Sequence, residues 1–306
     1  MGRQKTLGMS AWVALATALT LLVGGCGSSG SSSNSNTNRT LADVTFGGGT
    51  FVTVGKEGRI FSSTDGKQFT ARTSNVEIAL NGVVFGTSAF VVVGDTGTIL
   101  TSTDGVTWQA ETTPTDVSLQ GVAFANGTFV AVGYQGTIIT STDGHTWVPR
   151  VSGSTTPLHA VDFGDGRFVA VGDDGQVLVS SDDAVTWSTA ISNTSDTLYG
   201  VTFGNGLHVF VGGNGVVGRA TEPQLWATAR QPLTTLGDIT FAQNEFVLVG
   251  VGGAIFTSPD AVTFTSRNSN TEVDLRAIAF GNGTFITVGV DGIVRSSPDA
   301  VTWAQP

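Results

Sequence analysis

Short runs of alternating hydrophobic and polar residues recur along most of the chain. Each run is rich in Val, Ile, Phe and Thr, and Gly or Asp-Gly separates one run from the next. Period-two alternation bounded by turn residues predicts short β-strands joined by tight hairpins. In one stretch the predicted strands are residues 119–124, 128–132, 137–141 and 146–149. Helical stripes with a spacing of 3.6 residues are missing, so the pattern predicts an all-β protein.

The group of four runs repeats seven times with a period close to 39 residues. Three landmarks keep this step: an early Phe, a Gly that follows Val, and a late aromatic residue. The early aromatics are Phe46, Phe85, Phe124, Phe163, Phe203, Phe241 and Phe280, and the late ones are Phe69, Trp108, Trp147, Trp187, Trp226, Phe264 and Trp303. Four strands in about 40 residues are typical of a propeller blade. Residues 41–306 are therefore predicted to form one seven-bladed β-propeller with four antiparallel strands per blade.

The order of the predicted strands leaves the closure of the ring open. Each unit begins with the presumed innermost strand and ends with the outermost, so no spare strand remains to join the first blade to the last. Closure then depends on packing between the first and last blades, or on a strand register different from this one.

The N-terminus has the pattern of an exported protein. Arg3 and Lys5 precede an apolar run of about 15 residues, which is short for a membrane-spanning helix of about 20. Small residues then lead to Cys26, the one cysteine of the chain. This stretch resembles the bacterial lipobox, and the resemblance implies that residues 1–25 are a cleaved signal peptide and that Cys26 carries a lipid anchor. An ordinary signal peptide with a fortuitous cysteine is the alternative interpretation.

Residues 26–40 combine the lipidated cysteine that the lipobox resemblance implies with a predicted flexible tether. The tether is predicted because Gly, Ser, Asn and Thr dominate the segment after Cys26. A Gly/Ser-rich chain of this length has a root-mean-square span of about 20 Å. The lipobox resemblance implies a membrane-anchored, exported protein. In a Gram-negative host, Gly27 rather than Asp after the cysteine favours the outer membrane and a domain that faces the periplasm.

Charge and composition exclude several classes of partner. The 306 residues include 14 Lys and Arg against 24 Asp and Glu, and no basic cluster. Nucleic acid is therefore not a predicted partner, since phosphate binding needs concentrated positive charge. Without residues 1–25 the formal charge is −12, which leaves no polybasic attraction to anionic lipid. One cysteine excludes an internal disulfide and a Cys-rich zinc site.

A Ser-x-Asp turn precedes the last strand of most units, as in Ser63-Thr64-Asp65-Gly66. A short Asp in a tight turn accepts backbone hydrogen bonds, and the aromatic residue that follows covers the turn. The predicted turn aspartates are Asp65, Asp104, Asp143, Asp183, Asp260 and Asp299. These turns resemble the Asp-box, or BNR, motif of sialidase-like propellers, in a form one residue shorter that is similar to propellers of photosystem II stability and assembly factors. The resemblance implies structural aspartates, and one carboxylate per blade supplies too few oxygens for a calcium site.

The fifth unit departs from the pattern. Residues 220–225 replace the aspartate turn, and His208 stands where the other units have Phe. A buried histidine that packs like the Phe it replaces and a functional histidine are the two interpretations.

No catalytic constellation is evident in the sequence. Sialidases of this fold are expected to use an arginine triad, a tyrosine assisted by a glutamate, and an aspartic acid, and often carry an Arg-Ile-Pro motif. Here Arg59-Ile60-Phe61 lacks the proline, and Tyr134 and Tyr199 are the two tyrosines of the chain. Nucleophile-elbow, zinc-protease and phosphate-loop motifs are also missing. We therefore predict no catalytic residue, no metal site and no cofactor.

One position in each unit varies freely, directly after a nearly constant Leu. Because strands alternate in direction, this position and the turn between the second and third strands fall on one face, around the mouth of the central channel. The candidate binding residues on this face are Asn81, Gln120, Tyr134, His159, Asp173, Tyr199 and Arg276. Variable loop residues on a constant scaffold are a common way for rigid folds to bind partners. Exposure without constraint is the alternative explanation.

Two functional hypotheses follow from these predictions. The first is a lipid-anchored, non-enzymatic scaffold of the cell envelope that binds an envelope protein or peptide. The alternative is a carbohydrate-active propeller, either glycan-binding or a sialidase-like glycoside hydrolase, which would use the side chains at the channel mouth. Its polar set would be His159, Asp173, Tyr199 and Arg276.

Overall fold

Seven antiparallel sheets, each built from strands that are consecutive along the chain, are arranged as the blades of a β-propeller. The computed structural model describes residues 39–230 and 234–306. The predicted signal peptide, Cys26 and most of the predicted tether lie outside the described residues. The predicted seven-bladed propeller is confirmed.

The strands keep nearly the same length in every blade. First strands are Leu41–Gly47, Leu80–Gly86, Leu119–Ala125, Leu158–Gly164, Leu198–Gly204, Leu236–Ala242 and Leu275–Gly281. Second strands are Thr50–Gly55, Ala89–Gly94, Thr128–Gly133, Arg167–Gly172, Leu207–Gly212, Glu245–Gly250 and Thr284–Gly289. Third strands are Ile60–Ser63, Ile99–Ser102, Ile138–Ser141, Val177–Ser180, Val216–Ala220, Ile255–Ser258 and Val294–Ser297. Fourth strands are Thr70–Arg72, Gln109–Ala110, Val148–Arg150, Ser188–Thr189, Ala227–Arg230 and Thr265–Arg267.

Two details differ from the sequence prediction. The seventh blade has three strands, and Ala304 and Ser296 exchange two backbone hydrogen bonds where a fourth strand would lie. The fourth strand of the third blade begins at Val148 instead of residue 146. The reason is that the backbone N–H of Thr146 donates to the carboxylate of Asp143, which keeps Thr146 in the turn.

The hydrophobic core lies between neighbouring blades. Val91 and Val93 on the second strand of the second blade pack with Phe129 and Trp147 of the third, and all four side chains are buried. The same contacts recur around the ring because each second strand is mostly apolar and is buried on both faces. Burial of whole strands accounts for their continuous Val and Phe content.

Ring closure uses the same packing as every other pair of blades. Leu41 and Val44 of the first blade share one core cluster with Ile286 and Val288 of the seventh. The first strands of these two blades also lie side by side, as other neighbouring first strands do. No sheet among the described residues mixes strands from the first and last blades. Of the two explanations left open by the sequence, the structure shows packing between the end blades.

The two faces of the ring carry different turns. We call the face that bears the connections into the first strands the channel-mouth face, and the opposite one the hairpin face. The channel-mouth face also carries a short 3-10 turn between the second and third strands of each blade. These turns are Lys56–Gly58, Asp95–Gly97, Tyr134–Gly136, Asp173–Gly175, Gly213–Gly215, Val251–Gly253 and Val290–Gly292. The aspartate turns lie on the hairpin face, since they connect third to fourth strands.

Candidate functional site

A β-bulge at the second residue of each first strand builds the rim of the central channel. In the fourth blade Leu158 pairs with Gly172 and Ala160 with Val171, which leaves His159 unpaired. A bulge of this kind redirects the side chain of the extra residue. The seven bulge residues are Ala42, Asn81, Gln120, His159, Tyr199, Gly237 and Arg276. All seven line one cavity of about 680 Å³ in the channel.

Four of the predicted binding residues come together on the third, fourth and fifth blades. The Nε2 atom of His159 lies 2.8 Å from a carboxylate oxygen of Asp173. The ring centroid of His159 lies 6.4 Å from that of Tyr134 and 5.7 Å from that of Tyr199. The two tyrosines remain 43% and 39% exposed. We call this group, Tyr134, His159, Asp173 and Tyr199, the rim cluster.

The other three predicted binding residues are separate from the rim cluster. Asn81 donates to the carboxylate of Asp95 at 3.0 Å and to the carbonyl of Leu119 at 2.9 Å, so it links the second blade to the third. Gln120 donates to the same carbonyl at 3.3 Å. Arg276 on the seventh blade is exposed, and no group among the described residues forms a hydrogen bond or ion pair with it.

Deeper in the channel lie three aspartates that the sequence prediction missed. Asp43 accepts the backbone N–H of Val83 in the next blade at 2.8 Å. Asp162 accepts the backbone N–H of Phe203 at 2.9 Å, and Asp238 accepts the backbone N–H of Ile278 at 2.9 Å. Each carboxyl group therefore bonds one first strand to the first strand of the following blade. The signal for them was an aspartate inside a predicted innermost strand.

Burial raises the pKa of these channel carboxyl groups. The pKa values of Asp43 and Asp162 rise to about 6, because burial outweighs the backbone hydrogen bonds that favour the charged form. That of Asp238 rises to about 8, again mainly through burial, with a further contribution from the negative charge of Asp43. Near neutral pH the channel therefore holds fewer charges than its three carboxyl groups suggest.

The aspartate turns on the hairpin face have the opposite electrostatics. In the first blade one oxygen of Asp65 accepts the backbone N–H groups of Lys67 and Gln68 at 2.8 and 2.9 Å and the Ser63 hydroxyl at 2.9 Å. These hydrogen bonds lower the pKa of Asp65 to about 2. Equivalent bonds form at Asp104, Asp143, Asp260 and Asp299. All of these carboxylates bond to the backbone of their own turn.

The prediction of Asp183 as the fourth turn aspartate is wrong. Asp182 occupies that role: its carboxylate accepts the Ser180 hydroxyl at 2.8 Å and the Thr186 backbone N–H at 2.9 Å. This turn is one residue longer than the others, which shifts the acceptor to the first of the two adjacent aspartates. Asp183 instead accepts the side chain of Asn126 from the neighbouring blade at 3.2 Å.

Comparison with known protein families shows to which family the chain belongs. The model of the DUF6242 beta propeller domain matches residues 27–158 and 80–198, which together exceed half of the chain. The chain belongs to the DUF6242 beta-propeller family. A search of curated protein sequences found no match.

Solved structures similar to this DUF6242 propeller share its fold at low sequence identity. YCF48 bound to D1 peptide is 20% identical, with a TM-score of 0.71 over 87% of this chain and 93% of the other. YCF48 from Cyanidioschyzon merolae is 18% identical, with a TM-score of 0.67 over 84% and 95%. The WD40 beta propeller domain of Doa1 is 12% identical, with a TM-score of 0.69 over 88% and 94%.

The fifth blade of this DUF6242 propeller buries His208 at a position where the other blades have Phe. Its ring centroid lies 4.7 Å from that of Phe203, and only 1% of the residue is exposed. The Nε2 atom has no hydrogen-bond partner among the described residues. Burial lowers the pKa of His208 to about 4. His208 therefore packs as an aromatic core residue with one unsatisfied polar atom.

We expect His208→Phe to leave the free energy of unfolding unchanged or to raise it by up to about 2 kcal/mol, because it removes an unsatisfied buried polar atom. Urea unfolding followed by tryptophan fluorescence measures the effect. The reverse change in the fourth blade, Phe168→His, should lower the same quantity. A clear loss of ligand binding or of stability in His208→Phe would show that the imidazole has a role beyond packing.

Within residues 39–230 and 234–306, no three His, Cys, Asp or Glu side chains are grouped as metal ligands. No helix in that part of the chain is both long and apolar enough to cross a membrane.

Proposed function

We propose that this protein is a lipid-anchored, non-enzymatic scaffold of the cell envelope that binds a protein or peptide segment on its channel-mouth face. Cys26 would carry the lipid, and the aspartate turns would act as structural Asp-box motifs. In a Gram-negative host the protein would reside at the outer membrane and face the periplasm.

The rim cluster carries the binding part of this proposal. Tyr134 and Tyr199 present exposed rings at the edge of a cavity, and His159 stands between them, hydrogen-bonded to Asp173. Exposed tyrosines are rigid, amphipathic anchors that dominate many protein interfaces. Across the channel, Arg276 can donate to backbone carbonyls or to a carboxylate of a bound segment.

The channel carboxyl groups support a binding role more than a hydrolytic one. Most glycosidases use two carboxyl groups that flank the scissile bond, and sialidases combine a tyrosine nucleophile with carboxyl groups. In Asp43 and Asp238 both oxygens accept backbone N–H groups. These hydrogen bonds link neighbouring blades, so both carboxyl groups already have a structural role. The YCF48 structure shows a propeller of similar fold with a bound peptide, which is consistent with a peptide ligand here.

Affinity capture from the native envelope tests the binding site. We expect Tyr134→Ala combined with Tyr199→Ala to weaken binding of the captured partner at least tenfold. A tyrosine that becomes buried in an interface contributes about 1–2 kcal/mol or more to the binding free energy. The matched control is Val106→Ala combined with Val262→Ala. These valines have a similar exposure of 42% and 47% but lie on the hairpin face.

Three outcomes would contradict the proposal. If the tyrosine variant and Arg276→Glu both recover the same partners as the unchanged protein, the channel mouth is not the binding site. If soluble glycans compete for the site, the carbohydrate-binding alternative is correct. If labelled fatty acid fails to enter the mature protein, or enters a Cys26→Ser variant equally, the lipid anchor at Cys26 is wrong.

A further inference from the structure

The described chain enters the propeller on the channel-mouth face. The carbonyl of Thr40 accepts the backbone N–H of Lys56 at 3.0 Å, in the 3-10 turn of the first blade. Ser118 and Pro157 make the same bond to the turns of the third and fourth blades. Arg39 lies beside Gly292 in the turn of the seventh blade. The described chain therefore begins on this face, at Arg39, between the seventh and first blades.

The length of the segment from Cys26 to Arg39 limits how the propeller can face a membrane. Twelve residues, 27–38, separate Cys26 from Arg39. Fully extended, the thirteen steps from Cys26 to Arg39 span at most about 45 Å, and the composition predicts a root-mean-square span of about 20 Å.

Turning the hairpin face toward the lipid would consume nearly all of this length. The chain would have to pass outward over four strands about 4.8 Å apart and then along a seven-residue strand with a rise of about 3.3 Å per residue. That path is about 37 Å. Orientations with the channel-mouth face toward the membrane need no such extension, so chain entropy favours them.

We propose that the channel-mouth face is turned toward the membrane and binds the membrane-proximal segment of an integral membrane protein. This inference rests on the proposed function, because it uses both the anchor at Cys26 and the rim cluster. The described chain begins beside Gly292 of the seventh blade, whereas the rim cluster lies across the channel on the third to fifth blades. The anchor therefore brings the rim cluster close to the bilayer and leaves it uncovered.

Lipid headgroups are not the occupant that this face fits. Its 3-10 turns carry five acidic side chains, Glu57, Asp95, Asp173, Asp174 and Asp291, and one basic side chain, Lys56. The exposed Arg276 at the channel rim adds a second positive charge, which leaves acidic groups in excess among these residues. An anionic bilayer surface repels such a face. A neutral or basic polypeptide segment between the propeller and the bilayer does not meet this repulsion.

Fluorescence energy transfer between the protein and a lipid vesicle tests which face of the propeller is turned toward the membrane. The test does not require natural lipidation of Cys26, because a synthetic lipid is attached there. The chain 26–306 is coupled through Cys26 to a maleimide lipid, and the vesicle carries an acceptor dye. A donor dye is attached by click chemistry to p-azidophenylalanine at Val251 or at Val262. These two residues lie in the sixth blade on opposite faces and are 46% and 47% exposed.

We expect about twofold greater transfer from position 251 than from position 262. Inserting about 40 Gly/Ser residues between Cys26 and Arg39 should abolish this difference. Equal or reversed transfer at the natural length would overturn the orientation. A difference that survives in the lengthened chain would show that the face binds lipid directly, which would contradict the tether as the cause of the orientation and the exclusion of lipid as the occupant.

Photo-crosslinking in the native host tests the partner. A benzoylphenylalanine at position 251 should crosslink to a protein within about 20 residues of a transmembrane span, and the same probe at 262 should not. Crosslinks from 251 that map only to soluble proteins would refute the partner class. Failure of fatty-acid labelling at Cys26 would instead refute the anchor, while the vesicle measurement would still report the geometry.

Discussion

Replacing Gly136 with alanine should lower the free energy of unfolding by at least about 3 kcal/mol. Gly136 has φ of +65°, and an added Cβ would lie 2.0 Å from the carbonyl oxygen of Ser154. The left-handed conformation alone costs an alanine about 1–2 kcal/mol. The clash adds more, because the oxygen belongs to the backbone of the neighbouring connection and cannot rotate away. Urea unfolding followed by tryptophan fluorescence measures the loss.

Gly292 is the matched control for this prediction. It occupies the same turn position in the seventh blade with φ of +73°, but the nearest atom to its added Cβ is the carbonyl oxygen of Arg39 at 3.3 Å. Gly292→Ala should therefore cost about 1 kcal/mol, mostly through its backbone conformation. Equal losses in the two variants would show that the close approach to Ser154 is not what requires glycine.

The free energy of unfolding should fall by about 2 kcal/mol between pH 6.5 and pH 9. Asp238 has a pKa of about 8 in the folded protein and 3.8 as its ordinary value. Over this range the folded protein loses a proton that the unfolded chain has already released, so rising pH destabilises the fold. The stabilisation by Asp238 is complete below about pH 4 and is lost as the pH passes through 8. His208, with its pKa near 4, is neutral in the folded state throughout.

The variant Asp238→Asn tests whether Asp238 causes this fall in the free energy of unfolding with pH. An amide does not ionise, so the variant should show a nearly flat dependence over the same range, whatever its stability at pH 6.5. An unchanged pH dependence of the free energy of unfolding in this variant would assign the loss of stability to other groups.

The aspartate turns act in the opposite direction: Asp65 and Asp182 have pKa values near 2, so their stabilisation is lost as the pH falls below about 4.

Much of the architecture could be predicted because each blade repeats the same local rules. Alternating residues define strands, and Gly and Asp define turns, so seven copies of the pattern give seven blades without knowledge of long-range contacts. The exceptions fall where the repeat changes. The turn at Asp182 contains one extra residue, and in the last blade a single bridge between Ser296 and Ala304 stands in place of a fourth strand. In both places hydrogen bonds, rather than the repeat period, decide the local structure.

The candidate site could be predicted only in part. The variable position after each Leu was recognisable, and the structure places all seven such residues on the channel. The sequence does not show that a bulge turns them there, since strand register depends on the partner strand. The channel aspartates were missed because their backbone partners lie about 40 residues away, in the next blade.

The sequence by itself determined the number of blades, the order of strands and the face on which the variable residues lie, because these follow from contacts within about 40 residues. Tertiary structure decided how the ring closes, which channel groups carry charge, and that Tyr134, His159 and Tyr199 meet. These three residues come from different blades. Their distances depend on how whole sheets pack, and no local pattern encodes that packing.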